Sequence, residues 1–270
     1  MKKRINFARW SLILLTILSS FALSVLLAFA APTTPNSVNS KGQGRHVNES
    51  GQVFVGAQAG NVTSVNVFSV RSTQTWQGYY GNVTGTITLD DANNNTMYDW
   101  SLPDPSGEIF AVNSSDSVAW ANIYCLNASG LRNSTGNAAN PNSIAYNFNI
   151  TTLEAKWGIN TTDKDGINET FALSYIDAVG FMVGATRFDT TDGCSIVHPY
   201  ANDNASLTNY TEFLMTDNAS LIFTSQIKEN HQDYQQGDSS TADFEMLVIQ
   251  DGHAKSSVVS MPYYFYVELS

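Results

Sequence analysis

The chain has 270 residues, of which 14% are charged, and a formal net charge of -11 at pH 7. Four of its thirteen basic residues lie in the leader (Lys2, Lys3, Arg4, Arg9) and no basic tract follows, so the acidic main body repels the phosphates of nucleic acid and of anionic lipid and is excluded as their partner. With 43% hydrophobic and 11% aromatic residues the remainder carries enough apolar surface for a core, which excludes a wholly disordered chain.

Met1-Lys2-Lys3-Arg4 opens the chain, and residues 10–31 follow without a single charge. The small-residue frame Ala28-Phe29-Ala30 stands before Ala31-Pro32. This is the layout of an export signal cleaved after Ala30. At about 1.5 Å per residue the same run also spans a hydrocarbon core of about 30 Å, so a retained anchor helix is the second reading. Both place the rest of the chain outside the cytoplasm, secreted or at the cell surface. Membrane contact is then confined to residues 10–31, if they are uncleaved.

Residues 31–50 are rich in Pro, Thr, Asn, Ser and Gly and read as a flexible linker or a donated strand. The β-rich extracellular domain is expected over 51–270. Val53, Val55 and residues 61–67 have the style of short strands. Residues 76–81 form an aromatic turn, and Val83, Gly85, Ile87 and Leu89 alternate with threonines, as in a half-buried strand. Turns at 90–95 and 102–107 bracket the next run, and strands are expected over 108–112 and 117–125. A helical turn or two is expected over 152–157, around Leu153-Glu154-Ala155-Lys156. Further strands are expected over 180–188, 221–227, 244–249 and 263–269. The last is too apolar to be left unpaired. Many short strands broken by Asn/Gly turns predict an all-β fold, an antiparallel β-sandwich of two packed sheets with long loops, behind the N-terminal hydrophobic signal or anchor helix.

Asn-x-Ser/Thr acceptors occur thirteen times, at Asn48, Asn61, Asn82, Asn94, Asn113, Asn127, Asn133, Asn149, Asn160, Asn168, Asn204, Asn209 and Asn218. In an exported chain these are surface sites for covalent N-linked glycans, which cannot be packed into a core. A polar β-surface with few sites used is the plainer reading. The two cysteines, Cys125 and Cys194, make one disulfide the default in an oxidising compartment, with two buried free thiols as the other possibility.

Catalytic signatures are sparse. His46, His198, His231 and His253 lack metal-ligand spacing, and Cys194 with His198 is better explained by a disulfide than by a nucleophile. Glu108, Glu154, Asp177 and Glu212 could supply a glycosidase pair only if two of them faced one another. Calcium is the one cofactor the spacing suggests. Asp91, Asn93, Asn95 and Asp99 match part of an EF-type loop, but Thr96 replaces the required glycine and Leu102 the bidentate glutamate. Asp189 with Asp192, and Asp163 with Asp165, are looser sets. Trp76, Tyr79, Tyr80, Trp100 and Trp120 invite a sugar- or partner-binding reading against that of core filling.

The runs Trp76-Gln77-Gly78-Tyr79-Tyr80-Gly81-Asn82-Val83, Ile87-Thr88-Leu89-Asp90, Tyr98-Asp99-Trp100, Gly107-Glu108-Ile109-Phe110-Ala111 and Trp120-Ala121-Asn122-Ile123-Tyr124-Cys125 carry a resemblance. So do Phe244-Glu245-Met246-Leu247-Val248 and Tyr264-Phe265-Tyr266-Val267-Glu268-Leu269. Together they resemble a group of uncharacterised, secreted, glycosylation-rich surface proteins from archaea. The resemblance implies an extracellular or cell-surface setting and pairing of Cys125 with Cys194, and it brings no catalytic residue. The expected function is that of a structural, heavily N-glycosylated coat or filament protein without catalysis, whose partners are copies of itself or other surface proteins. The alternative is a carbohydrate- or partner-binding adhesion module. A secreted hydrolase has least support.

Overall fold

A computed structural model of the chain describes residues 31–44, 55–69, 72–102, 105–126, 150–174, 180–205, 209–250 and 261–269. The expected leader, together with His46, Asn48, Val53, Asn127, Asn133, Asn149, Asp177 and His253, lies outside them. The strands in chain order are β1 (Trp76–Gly81), β2 (Gly85–Asp90), β3 (Thr96–Leu102), β4 (Gly107–Val112), β5 (Tyr124–Cys125), β6 (Leu173–Ser174), β7 (Phe181–Val183) and β8 (Thr186–Phe188). They continue as β9 (Ser195–Val197), β10 (Tyr200–Ala201), β11 (Asn204–Ala205), β12 (Glu212–Thr216), β13 (Leu221–Gln226), β14 (His231–Gln232), β15 (Thr241–Ala242), β16 (Phe244–Ile249) and β17 (Tyr264–Leu269). Two short helices, α1 (Ile150–Lys156) and α2 (Ile167–Thr170), complete the list, with a 3-10 turn at Trp120–Asn122.

Seven strands form one sheet in the order β17-β4-β13-β12-β9-β6, with β5 also pairing to β12, and every ladder is antiparallel. Side chains alternate along each strand, so the sheet has two faces with separate cores. Ala111, Leu214, Leu221 and Phe223 point one way, into a core shared with Phe244, Met246 and Val248 of β16 and with Ile150, Trp157 and Ile167 of the helical segment. Phe110, Val112, Phe213, Met215 and Ile222 point the other way, onto Phe181 and Val183 of β7, Phe188 of β8, Val118 and Ile123. The β1–β16 ribbon and helices cover the first face, while the β7–β8 hairpin and residues 118–123 cover the second. That double cover explains why β12 is buried throughout and β13 nearly so.

The all-β, antiparallel class expected from the periodicity is the observed one, and no sheet closes into a barrel among the described residues. α1 falls on the helical turn expected at 152–157, and β17 pairs with β4 along its whole length. Several expectations change. Residues 55–69 lie in no strand and are exposed throughout, because no strand among the described residues pairs with them. The alternation at 83–89 does produce β2, but among the described residues β2 pairs with β3 alone, and beyond Gly85 its residues are exposed rather than half-buried. The strand expected at 117–125 shrinks to β5 behind the 3-10 turn. The strand expected at 180–188 folds back as the β7–β8 hairpin, with Gly184 at φ 57° in its turn.

Cys125 and Cys194 form a disulfide. β9 pairs with one half of β12 and β5 with the other, so the bond ties two strands that meet end to end along the same neighbour. Ser195 N–H donates to the Leu126 carbonyl across the same junction, at 2.9 Å.

Candidate functional site

The sequon asparagines come first, because a sugar needs access. Among the described residues Asn61, Asn82, Asn94, Asn160, Asn204 and Asn218 are exposed, and Asn113, Asn168 and Asn209 are half-buried. Not one of these nine is buried. Asn94 and Asn218 sit at positive φ, 62° and 72°, where turn asparagines are tolerated. Asn113 borders a depression of about 250 Å³ with Lys156, Trp157 and Ser220 on its walls.

The aromatics separate into two groups. Trp76 packs 6.0 Å from Phe171 and 6.2 Å from Phe223, and its indole N–H donates to the Asp165 carbonyl at 2.7 Å. Tyr79 meets Phe265 edge-on at 5.4 Å, and Trp120 bridges Phe110 and Tyr266 at 5.0 and 5.2 Å. Those three rings extend the two cores. Tyr80 and Trp100 do not: each is 49% exposed. Tyr80 stands against the exposed Tyr234 at 5.1 Å, and Trp100 against Tyr98 at 4.9 Å. The ladder pairs Ile87 with Trp100 and Leu89 with Tyr98, so one face of the β2–β3 hairpin presents two aliphatic and two aromatic groups to solvent. Tyr98 and Tyr234 are not among the aromatics singled out for binding, although Tyr98 alternates with Trp100 and so shares its face.

The EF-like spacing builds a hairpin tip. Asp91 Oδ1 accepts the N–H groups of Asn93 and Asn95 at 2.8 and 2.9 Å, and Oδ2 accepts Asn95 Nδ2 at 2.8 Å. These bonds, led by the Asn95 side chain, hold the Asp91 carboxyl below its usual range. Its oxygens thus face the tip's own amides, and Asp99 lies on β3 opposite Thr88. In the looser sets, Asp192 Oδ2 accepts Asp189 N–H at 2.6 Å, Asp163 Oδ2 accepts Asn160 N–H at 2.8 Å, and Asp165 Oδ2 accepts Thr73 Oγ1 at 2.6 Å. No group of three or more His, Cys, Asp or Glu with metal-holding geometry occurs among the described residues.

Of the candidate glycosidase carboxylates, the three among the described residues, Glu108, Glu154 and Glu212, do not converge. Glu154 caps the Ile167 N–H at 2.9 Å, at the start of α2. Glu108 shares its strand face with Phe110 and Val112, and Glu212 shares its own with Leu214, which puts them on opposite faces of the sheet. Glu212 is fully buried, receives Leu247 N–H at 2.8 Å on Oε2, and has no partner on Oε1. Burial pushes its carboxyl well up. Burial, then the neighbouring Glu268 charge, pushes Glu108 up to about 8. Burial likewise takes Glu245 to about 8.

The remaining feature is the outer edge of β17. Its inner edge is fully paired to β4, while among the described residues its outer edge carries one bridge, in which Thr33 and Val267 exchange bonds of 3.0 and 2.8 Å. Pro32, next to Thr33, is buried. In its described part, residues 31–44, the segment read as linker or donated strand therefore forms one backbone bridge to the chain's own sheet. No helix among the described residues is long and apolar enough to cross a membrane. Family models, curated proteins and solved structures were all compared with the chain, and none matches.

Proposed function

We propose that the protein is a non-catalytic structural component of a cell-surface coat or extracellular filament, exported behind residues 1–30 and carrying N-linked glycans on its β-sandwich domain. The observation that carries this reading is the placement of the acceptor asparagines. Nine of them fall among the described residues, and each keeps access to solvent. In a chain with so few charges, sugars would take over the task of hydration. The disulfide is compatible with the oxidising setting this reading needs.

Intact-mass measurement of the native protein tests the proposal, combined with electron microscopy of the same material. The expected result is an N-terminus at Ala31 or a retained leader, sugar mass on several sequons, and ordered polymer or coat. Bare asparagines and dispersed monomers would sink it. A second reading, surface binding, draws on the exposed Tyr98–Trp100 and Tyr80–Tyr234 pairs. It predicts that Trp100→Ala lowers retention on a glycan-bearing surface without changing the melting temperature.

A further inference from the structure

Residues 62–69 of this chain have strand chemistry and no strand. Val62, Val67 and Phe68 are 102%, 88% and 90% exposed, and the segment pairs with nothing among the described residues. In extended backbone Thr63, Val65 and Val67 would share one face and Val62 and Phe68 the other. Such a two-faced pattern suits a sheet covered on both sides, which is what the seven-strand sheet is. The segment also carries no charge, so nothing repels it from an acidic surface.

The outer edge of β17 offers the matching half. Antiparallel pairing points successive residues' backbone groups in opposite directions, so Phe265 and Leu269 aim theirs the same way as Val267. Val267 meets Thr33, whereas Phe265 and Leu269 meet no backbone partner on that side among the described residues. The β17 side chains are half-covered on both faces, Phe265 beside Tyr79 and Tyr266 beside Trp120. A strand laid alongside would extend both cores at once.

We infer that residues 62–69 of one copy add as an eighth strand to the outer edge of β17 in a second copy, displacing the single Thr33 bridge. Segment and edge coexist in one chain and do not pair with one another among the described residues. Donor and acceptor are different surfaces, so each added copy leaves a free donor and a free edge, and growth continues head to tail. The inference rests on the proposed assembly role and supplies its contact.

The test uses the exported glycoprotein and two proline variants. Val65→Pro removes a donor N–H from an exposed segment and leaves the core untouched. Val267→Pro removes the outward N–H of β17, while the bonds to β4 come from its neighbours. Each variant alone is expected to lose polymer by at least about tenfold. Mixed together they should form a capped two-copy complex through the intact edge of the first and the intact segment of the second. A synthetic peptide of residues 61–69 should bind wild-type monomer and block growth. Polymer undiminished in Val65→Pro overturns the strand contact while leaving the filament reading intact. A wild type that stays monomeric yet binds the peptide overturns the filament reading and supports the edge. Neither polymer nor peptide binding overturns both. Should Val267→Pro fail to fold, peptide binding to wild type decides.

Discussion

Glu108 is the residue whose burial has the clearest measurable consequence. It lies on β4 opposite Glu268 on one side and Gln226 on the other, only 7% exposed. Its carboxyl is raised from 4.5 to about 8, and Glu268 is raised too. A raised acid keeps its proton in the folded state after the unfolded chain has lost it. The stabilisation is therefore complete below the unfolded value of 4.5 and drains away as pH climbs through about 8. Glu245 titrates in the same window, and Glu212 shifts in the same direction. The melting temperature is expected to be higher at acid pH than at pH 8. Glu108→Gln should recover on the order of 2 kcal/mol at pH 8, roughly 4–8 °C, and flatten the profile. Melting curves of both proteins across that range check it. A wild-type profile that rises toward pH 8 would contradict the assignment.

β17 depends as an element on one glycine. Gly107 sits at φ 123°, paired with Leu269, and a Cβ there would run into the Glu268 carbonyl oxygen. Gly107→Ala combines that clash with a backbone conformation that L-residues avoid, so a loss of about 2 kcal/mol or more is expected. Hydrogen exchange should show the amides of β17 opening before those of β12 and β13. The β2–β3 hairpin marks the limit of reading elements by periodicity. The alternation of Ile87 and Leu89 with threonines specified a strand correctly, yet alternation says which residues share a face and not whether anything covers it. The same holds for residues 61–67: their pattern is that of a strand, but a strand needs a partner, and among the described residues none pairs with them.

At the scale of the whole molecule the disulfide closes a loop of 69 residues in sequence separation and joins β5 to the start of β9. The chain-entropy account gives such a loop about 4 kcal/mol, so Cys125→Ser should lower the melting temperature by several degrees under oxidising conditions and little under reducing ones. Calorimetry in both buffers tests this, and an unchanged value in oxidising buffer would remove the bond's role.

Local chemistry is what the amino-acid sequence determined without help. The cysteine count, acceptor spacing, turn residues and short-strand periodicity each depend on a few neighbouring residues, and from them the all-β class and the helical turn at Leu153–Lys156 were legible. Other features required the tertiary structure: the two-faced sheet, Trp76 and Trp120 in the cores while Trp100 stays outside, the opposite-facing Glu108 and Glu212, and the nearly bare edge of β17. Those depend on which distant strands pair, and pairing is set by contacts more than a hundred residues apart, such as β4 with β17, that no local pattern encodes.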